Sequence, residues 1–377
     1  MTLPVAPALA AAPIPLLVLL PTLRAGGSER VLLTLLRHLD RTRFRPLLAV
    51  VNGQPPELAA DLPDDVPWVD LRCERVARAG PALWRLVRER RPRIVFSTLS
   101  HLNLMVAFLR PLMPRGTRFV ARESNVLSHS LADERRPALL RLAHRLLYPR
   151  FDLIVCQSCA MQDDLCLRFG VRRASTRVIP NPVDLERVRR LADEPIAADP
   201  ASHSHATVRL VAAGRLAPQK NFAALLDAIA LCRDLPLRLD LIGQGPEQDR
   251  LHARVAQLGL ADRVALQPFT PNPYPWLRRA DALLLSSLYE GLPNVVIEAL
   301  ALGTPVVTTP VPAAVEIVQA IPGCVVADDF SPEALARAIR AWFAGPRARI
   351  DDAAMATYAA GAVARRYEQA LADVAVV

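Results

Sequence analysis

The sequence has 377 residues, of which 52% are hydrophobic and 5% aromatic, and it carries a formal net charge of +9. This length predicts two α/β domains, and the lack of an unbroken apolar run of about 18 residues argues against a membrane-spanning helix. The basic charge suits nucleic acid, an anionic membrane or phosphate-bearing substrates. Few aromatics and no zinc-finger, RNP-like or leucine-zipper pattern argue against nucleic acid.

Residues 1–20 are apolar, but they lack a basic start and contain four prolines, so we expect no cleaved signal peptide. The six cysteines are scattered through apolar segments, which is typical of reduced thiols in a cytoplasmic protein. Cys156 and Cys159 form a CxxC pair without a second pair or suitable histidines. We therefore expect no metal site.

Strand-like and helix-like segments alternate along the first half of the chain. Short β-branched or leucine-rich runs predict buried parallel strands at residues 15–20, 45–51, 93–97, 118–121, 153–156 and 176–179. Longer segments between them predict helices at 28–39, 80–89, 101–109, 132–148 and 157–169. The alternation predicts a doubly wound domain over residues 1–185.

A polar stretch follows, and we predict a linker over residues 186–206. Its His203 and His205 are typical of solvated side chains rather than metal ligands. A second alternation has predicted strands at 208–213, 238–242, 264–267, 282–286 and 305–308, and helices at 222–232, 247–257, 274–280, 294–302 and 332–344. It predicts a second doubly wound domain over 207–356, followed by a last helix over 357–377. Two such domains face each other across a cleft, with ligands at the carboxyl ends of the strands.

The turn after the first strand of the second domain carries Gly214, Arg215 and Lys220 ahead of a helix. Glycine lets the backbone approach a ligand closely, and two cations can hold one diphosphate. Lys220 is the only lysine of the chain, which favours a compact point charge at this position. The alternative is an ordinary loop with two solvated bases.

A second cluster follows a later strand. Glu290 lies in a loop, and Pro293 marks the first turn of a helix whose amides can face a phosphate. Glu298 lies about two turns further on, in the apolar run 295–302, where a carboxylate is costly to bury without a partner. We expect Glu298 to reach a ribose and residues 291–294 to contact a sugar.

These segments together resemble the retaining glycosyltransferases of family 4, which have the GT-B fold. The matching pieces, in chain order, are Gly26-Gly27 with Glu29-Arg30, residues 178–184, Gly214-Arg215 with Lys220-Asn221, residues 243–245, the E-x7-E pair Glu290 and Glu298, and residues 303–307. They extend over nearly the full length. Pro268 and Pro312 depart from the family's pattern, because the family often has glycine at the first and a Gly-Gly pair before the glutamate that is here Glu316.

The resemblance implies that Arg215 and Lys220 bind the donor diphosphate, Glu298 the ribose and Glu290 the transferred sugar. It implies a metal-independent reaction, without a cofactor, that retains the anomeric configuration while the leaving phosphate helps to deprotonate the acceptor. The predicted catalytic residues are Glu290, His101, Arg215 and Lys220. The predicted donor-binding residues are Gly26, Gly27, Gly214, Arg215, Lys220, Asn221, Gly245, Phe269, Glu290, Gly291, Leu292, Pro293, Asn294, Val295 and Glu298.

His101, Arg122 and Glu123 follow strands of the first domain and point toward the cleft. The resemblance implies that His101 lines the sugar pocket, with a structural histidine as the alternative. Arg122 and Glu123 are predicted to bind the acceptor, or else to form a local ion pair. The helix at 132–148 carries leucines on one side and arginines elsewhere. It lies on an anionic membrane, or it packs on the core with a solvated basic face.

The sequence therefore predicts transfer of a hexose or N-acetylhexosamine from a nucleoside-diphosphate sugar, UDP-linked, to a lipid-linked or polysaccharide acceptor in cell-envelope glycan biosynthesis. We expect a cytoplasmic protein, peripheral on the inner face of the cytoplasmic membrane. A nucleotide-sugar epimerase of the same fold and a non-catalytic nucleotide-sugar-binding subunit are the alternatives. A dinucleotide oxidoreductase is disfavoured because residues 243–245 lack a third glycine.

Overall fold

The computed structural model describes residues 12–24, 26–132, 134–196, 207–346, 350 and 352–376. Residues 1–11, which include most of the apolar start, lie outside the described residues, as do residues 197–206 with His203 and His205. Two parallel β-sheets flanked by helices confirm the predicted fold class. Within the described ranges, no helix is long and apolar enough to cross a membrane.

The first domain is built on a seven-stranded sheet. Its strands are β1 Ile14–Thr22, β2 Phe44–Asn52, β3 Trp68–Asp70, β4 Ile94–Thr98, β5 Arg118–Arg122, β6 Leu153–Cys156 and β7 Thr176–Val178. They lie in the order β3-β2-β1-β4-β5-β6-β7, and every pair is parallel. The helices are α1 Gly27–His38, α2 Gly80–Arg90, α3 Ser100–Leu109, α4 Leu127–Ser130, α5 Pro137–Leu147 and α6 Cys159–Phe169.

The second domain follows helix α7, Leu185–Ala192. Its strands are β8 Val208–Ala213, β9 Leu237–Ile242, β10 Val264–Gln267, β11 Ala282–Leu285, β12 Val306–Thr308 and β13 Val325–Val326, in the order β10-β9-β8-β11-β12-β13. Its helices are α8 Phe222–Leu231, α9 Gln248–Gln257, α10 Tyr274–Arg279, α11 Asn294–Ala301, α12 Pro312–Val318, α13 Pro332–Ala344 and α14 Asp352–Met355. The chain continues into α15, Ala360–Val376.

Each sheet is buried on both faces, as expected of parallel strands covered by helices. Helix α15 belongs to the first domain's core, where Val363, Tyr367 and Leu371 are fully buried. Its Glu368 accepts a hydrogen bond from the amide of Asp40 at 2.8 Å. The last helix therefore packs against the domain in which the chain begins.

Two predicted elements are wrong in detail. The helix predicted at 132–148 is observed as α5, which begins only at Pro137, because proline fixes φ and lacks an amide proton and so starts a helix. The first part of the predicted linker is helical, since α7 begins where the side chain of Asp184 caps the amide of Arg187 at 3.0 Å. Strand β3 was missed because its three residues, which include the polar Asp70, form no apolar run.

Candidate active site

The turns after β8 and β9 pack against each other through glycines. A Cβ atom at Gly243 would lie 2.0 Å from the carbonyl oxygen of Gly214, and one at Gly245 would lie 2.4 Å from that of Leu216. No side chain fits at such distances, so only glycine allows this approach of two backbones. Gly245 thus shapes the loop that precedes α8, and its contact with a donor stays a prediction.

Lys220 and Glu290 form an ion pair at the carboxyl ends of β8 and β11. The Nζ atom of Lys220 lies 2.6 Å from Oε1 of Glu290, which also accepts a hydrogen bond from the Ser287 hydroxyl at 2.7 Å. Glu290 is 8% exposed. A Cβ atom at Gly214 would lie 3.1 Å from Cε of Lys220, so the glycine leaves room for the lysine. The pair joins the two segments that the sequence marked separately.

Further hydrogen bonds hold these two loops together. The side-chain amide of Gln219 donates to the carbonyl oxygen of Tyr289 at 2.8 Å. The hydroxyl of Ser286 donates to the backbone carbonyl oxygen of Lys220 at 2.7 Å. The amide of Leu288 donates to the Gln219 carbonyl oxygen at 2.8 Å. Gln219, Ser286 and Ser287 were not predicted as site residues, although their positions after buried strands were a usable signal.

Glu298 lies half-buried on α11, where the Tyr274 hydroxyl donates a hydrogen bond to its Oε1 atom at 3.3 Å. Burial raises the pKa of the Glu298 carboxyl above 4.5, while the charge of Arg30 and the hydrogen bond from Tyr274 act in the opposite direction. Arg30 belongs to α1, and its guanidinium donates to the carbonyl oxygen of Pro271 in the second domain at 2.9 Å. Glu298 is therefore close to the opposite wall of the cleft. The sequence had marked Arg30 only as part of a family motif.

Two helices begin at facing positions of the two domains. Helix α1 begins at Gly27, and α11 begins at Asn294, directly after the buried Pro293. A Cβ atom at Gly27 would lie 3.5 Å from Nδ2 of Asn294. The first amides of a helix lack intrahelical acceptors and carry the positive end of the dipole. This convergence favours an anion between the two domains.

Gly26 precedes α1 and leaves space for a carboxylate. A Cβ atom at Gly26 would lie 2.2 Å from Oε2 of Glu29, so a larger residue would displace that side chain. Burial raises the pKa of Glu29 above 4.5, opposed by hydrogen bonds from its own amide and from Thr22. Close packing therefore favours glycine at position 26, whereas a Cβ atom at Gly27 would make only an ordinary contact with Asn294.

The segment after Glu290 contacts the first domain directly. A Cβ atom at Gly291 would lie 2.5 Å from the carbonyl oxygen of Ser124. The carbonyl oxygen of Gly291 accepts a hydrogen bond from the Ser158 hydroxyl at 2.9 Å, and Oδ1 of Asn294 accepts one from Asn181 at 2.5 Å. The predicted sugar-binding turn is therefore also a contact between the domains.

Glu316 makes a second contact across the cleft. Its carboxylate accepts hydrogen bonds from the amides of Cys159 and Ala160, each at 3.2 Å, at the first turn of α6. A carboxylate at a helix N-terminus is stabilised by the free amides and the dipole. Nearby, the rings of His129 and Tyr289 stack with centroids 5.2 Å apart. Neither contact was predicted, because both join residues that are distant in sequence.

The remaining predicted donor residues differ in their environment. Arg215 is exposed, and within the part of the chain that the structure describes its guanidinium has no partner. Phe269 is also exposed, and Asn221 adopts a left-handed conformation, with φ of 52°, before α8. Leu292 is buried in the second domain's core and Val295 is half-buried. A bound donor would therefore contact the backbone of Leu292 rather than its side chain.

The acceptor-side predictions fall on dissimilar positions. His101 is exposed in the first turn of α3. Arg122, in contrast, is 1% exposed, and its guanidinium donates to the Thr98 hydroxyl at 3.3 Å and to Oδ1 of Asn181 at 2.6 Å. Because Asn181 in turn contacts Asn294, Arg122 supports the contact between the domains. Acceptor binding by either residue stays a prediction.

Glu123 lies inside the first domain. Its Oε1 atom accepts hydrogen bonds from the Tyr148 hydroxyl and from the side-chain amide of Asn103, the latter at 2.9 Å. Burial raises the pKa of Glu123 from 4.5 to about 7, against the effect of these hydrogen bonds and of the Arg122 charge. Arg122 and Glu123 thus interact with different partners. Their surroundings favour structural roles, and an acceptor contact by Glu123 stays a prediction.

The whole chain is similar to known structures of one fold. It superimposes on Anabaena Alr3699/HepE in complex with UDP and glucose with a TM-score of 0.77 and 20% identity, covering 95% of this chain and 99% of that one. Both sheets are included in this overlap. At this identity the similarity shows the fold, which is that of GT-B glycosyltransferases.

Sequence comparison identifies each domain separately. Residues 25–187 match the family described as Glycosyltransferase Family 4, and residues 207–344 match the family described as Glycosyl transferases group 1. The chain is a glycosyltransferase of the GT-B type. The two matched regions contain the described loops and helix starts that line the transferase's cleft.

Individual relatives narrow the biological setting of the transferase. It is 29% identical over 298 residues to the N-acetylgalactosamine-N,N'-diacetylbacillosaminyl-diphospho-undecaprenol 4-alpha-N-acetylgalactosaminyltransferase of Campylobacter jejuni, covering 76% of this chain and 78% of the relative. It is 39% identical over 97 residues to the lipopolysaccharide core biosynthesis glycosyltransferase LpsE of Rhizobium meliloti, covering 26% and 28%. The transferase is thus related to enzymes of lipopolysaccharide and polysaccharide biosynthesis.

Proposed function

We propose that the protein transfers a hexose or N-acetylhexosamine from a UDP-sugar to a lipid-linked or polysaccharide acceptor, with retention of the anomeric configuration. The reaction belongs to cell-envelope glycan biosynthesis. The observation that carries this proposal is the ion pair of Lys220 with Glu290, at 2.6 Å, beside the facing starts of α1 and α11. This arrangement offers a cation, helix-terminal amides and a carboxylate within one cleft.

The diphosphate is the group that this cleft suits best. In the proposed complex, the amides at the starts of α1 and α11 and the side chains of Arg215 and Lys220 surround the two phosphates. Charge develops on the leaving diphosphate as the glycosidic bond breaks, and preorganised positive groups stabilise it most effectively there. The departing phosphate oxygen then accepts the acceptor's proton on the same face of the sugar. This route requires no metal ion and no cofactor.

The two glutamates have separate roles in the proposed complex. Glu290 moves from Lys220 toward a hydroxyl of the transferred sugar, while Lys220 takes the phosphate as its new partner. Glu298 accepts hydrogen bonds from the ribose hydroxyls. The raised pKa of Glu298 fits this role, because among the described residues Tyr274 alone donates a hydrogen bond to this half-buried carboxylate, which gains from further donors.

The acceptor class is proposed from relatives and from one surface. The Campylobacter relative acts on a diphospho-undecaprenol substrate, as its name states. In this protein, Leu139, Leu142 and Leu146 of α5 are 57%, 54% and 62% exposed. The same helix region exposes four arginines, which are Arg135, Arg136, Arg141 and Arg145. Exposed leucines beside cations suit an anionic membrane surface.

Leucines on the two faces of α5 have different surroundings. Leu140 and Leu147 pack toward the core with His144, whereas the leucines at 139, 142 and 146 point outward. Three exposed leucines on one helix form an apolar face, and this supports contact with a lipid surface. We therefore propose a cytoplasmic protein that lies peripherally on the inner face of the cytoplasmic membrane, with α5 in contact with the lipid.

Thermal unfolding with a panel of nucleotides tests the donor proposal. The purified protein is melted with UDP, GDP, ADP and their common sugar conjugates, and each measurement is repeated in EDTA. A ligand of the native state at a hundredfold excess over its Kd stabilises by about 2.7 kcal/mol. We expect a shift with uridine nucleotides that EDTA does not abolish. A shift with another nucleotide family would overturn the UDP assignment, and no shift with any would contradict the donor site.

A further inference from the structure

A separate pocket lies at the outer edge of the first domain's sheet. It has a volume of about 540 Å³, and its lining includes Asn52, Gln54, Trp68, Asp70 and Arg72. These residues come from the end of β2, from β3 and from the segments that follow them. None belongs to the donor, catalytic or acceptor sets predicted from the sequence.

The pocket contains an exposed indole. Trp68 is the first residue of the edge strand β3, and it is 40% exposed. A Cβ atom at Gly53 would lie 3.2 Å from Cζ3 of this ring and 3.0 Å from Oδ2 of Asp70. The glycine thus brings the backbone close to both side chains. Large aromatic side chains usually bury most of their surface, so an open indole in a pocket favours ligand contact.

Fixed polar groups surround the indole. Oδ1 of Asp70 accepts hydrogen bonds from the amides of Gly53 at 3.2 Å and Arg72 at 2.8 Å, and Oδ1 of Asn52 accepts one from the amide of Gln54 at 3.1 Å. In the described part of the chain, Oδ2 of Asp70 and the side-chain amide nitrogen of Asn52 have no protein partner. Arg72 is exposed and held at a φ of 53°. Such backbone strain is typical of functional positions.

The pocket lies at the carboxyl-terminal end of the strands, which is also the end of the sheet where α1 begins. Strand β3 is two places from β1, so the spacing between them is about 10 Å. Asn52 pairs with Thr22, whose hydroxyl donates to Glu29 in the first turn of α1 at 3.4 Å. The amide of Leu58 donates to the carbonyl oxygen of Leu23 at 3.0 Å, which holds the loop after β2 against the loop after β1.

We propose that this pocket binds a pyranose of the acceptor glycan, other than the one that receives the new sugar. This inference rests on the proposed function. A pyranose has a face of C–H groups and a rim of hydroxyls. The indole of Trp68 contacts the apolar face, while the carboxylate of Asp70 and the side-chain amides of Asn52 and Gln54 bind the hydroxyls. The class of ligand is therefore a neutral or N-acetylated hexose within a longer saccharide.

Saturation-transfer NMR with simple glycosides tests the inference. The probes are the methyl glycosides of glucose, galactose, mannose, N-acetylglucosamine and N-acetylgalactosamine, measured on the full chain with and without UDP. We expect at least one to bind, with Kd raised at least tenfold by Trp68→Ala and several-fold by Asp70→Asn. Phe108→Ala is the matched control, because Phe108 is an aromatic residue that is 67% exposed on α3. It should leave Kd unchanged.

Two results would overturn the inference: no glycoside binds, or the Trp68→Ala variant binds as tightly as the parent. Melting temperatures check that the variants fold, and Trp68→Phe, which keeps a ring, should give an intermediate Kd. UDP stabilisation is measured on the same samples. If UDP does not stabilise the parent protein, the proposed donor site is contradicted. If UDP stabilises the parent but Trp68→Ala leaves glycoside binding unchanged, only the pocket is contradicted.

Discussion

At the scale of single residues, the structure assigns different surroundings to residues that the sequence could only mark as candidates. Lys220 and Glu290 are paired across two loops, whereas Arg215 is exposed. Arg122 and Glu123 were predicted from their position after a strand, but both side chains are buried. Strand-end position is visible in a sequence. The direction of a side chain depends on contacts such as the one between Arg122 and Asn181, 59 positions away.

Glu298 is expected to bind the nucleoside part of the donor rather than its phosphates. Glu298→Gln should raise the Kd for UDP about tenfold, since hydrogen bonds to charged groups are worth about 1.5–3 kcal/mol. The Kd for inorganic pyrophosphate should be unchanged. Calorimetric titration with both ligands makes the comparison, and Glu74→Gln, at an exposed position, is the control. An equal loss of affinity for the two ligands would place Glu298 at the phosphates instead.

The raised pKa of Glu123 predicts that the free energy of unfolding depends on pH. Its pKa is about 7 in the folded protein against 4.5 in the unfolded chain, so the folded state binds the proton more tightly. Stability therefore falls as pH rises from about 4.5 to 7, by about 3 kcal/mol in total. Glu123→Gln should be more stable than the parent at pH 8 and equally stable near pH 4.5, as measured by urea unfolding. A difference that is independent of pH would show that the carboxyl ionises normally.

At the scale of helices and strands, most long elements were predictable and some short ones were not. The helix at residues 332–344 was predicted with the bounds that α13 has, because Ser331 caps it and Pro332 starts it. Strands β3 and β13, of three and two residues, were missed, although β7 and β12, of three residues each, were predicted. The outward direction of the α5 leucines was also unpredictable, because the pattern of a core-packed helix and of a surface helix is the same.

The exposed leucines of α5 should be required for membrane binding. Changing Leu139, Leu142 and Leu146 together to Gln should weaken binding to phosphatidylglycerol vesicles at least tenfold, because apolar contact with the lipid is lost. Co-sedimentation measures the bound fraction. The control changes two other exposed leucines, Leu167 and Leu231, which are 83% and 49% exposed, to Gln. Equal binding by parent and triple variant would exclude α5 as the contact surface.

At the scale of the whole molecule, the two-domain architecture was predictable because alternating strands and helices leave few topologies. The contacts between the domains were not, since they join residues far apart in the chain. Gly291 lies against Ser124, and Glu316 caps α6. These contacts define the cleft in which the proposed donor lies, so the relative position of the domains is part of the site.

Gly291→Ala should prevent the close contact between the second domain at residue 291 and the first domain at Ser124. Its Cβ atom would lie 2.5 Å from the backbone oxygen of Ser124, which cannot turn away as a side chain does. We expect an unchanged fold of each domain, a larger radius of gyration by small-angle scattering, and transfer at least tenfold slower. Gly116→Ala is the matched control, because its added Cβ would have no atom within 4 Å. Unchanged scattering and transfer in Gly291→Ala would show that this contact is dispensable.

The central claim is that the diphosphate of a nucleotide sugar binds at Lys220, in the cleft between the domains. Titration calorimetry of UDP against the parent protein and Lys220→Ala, both in EDTA, tests it most directly. We predict that UDP binds the parent and that the variant, with its fold intact, binds at least tenfold more weakly and loses most transfer. Equal UDP affinity in the two proteins would contradict the claim.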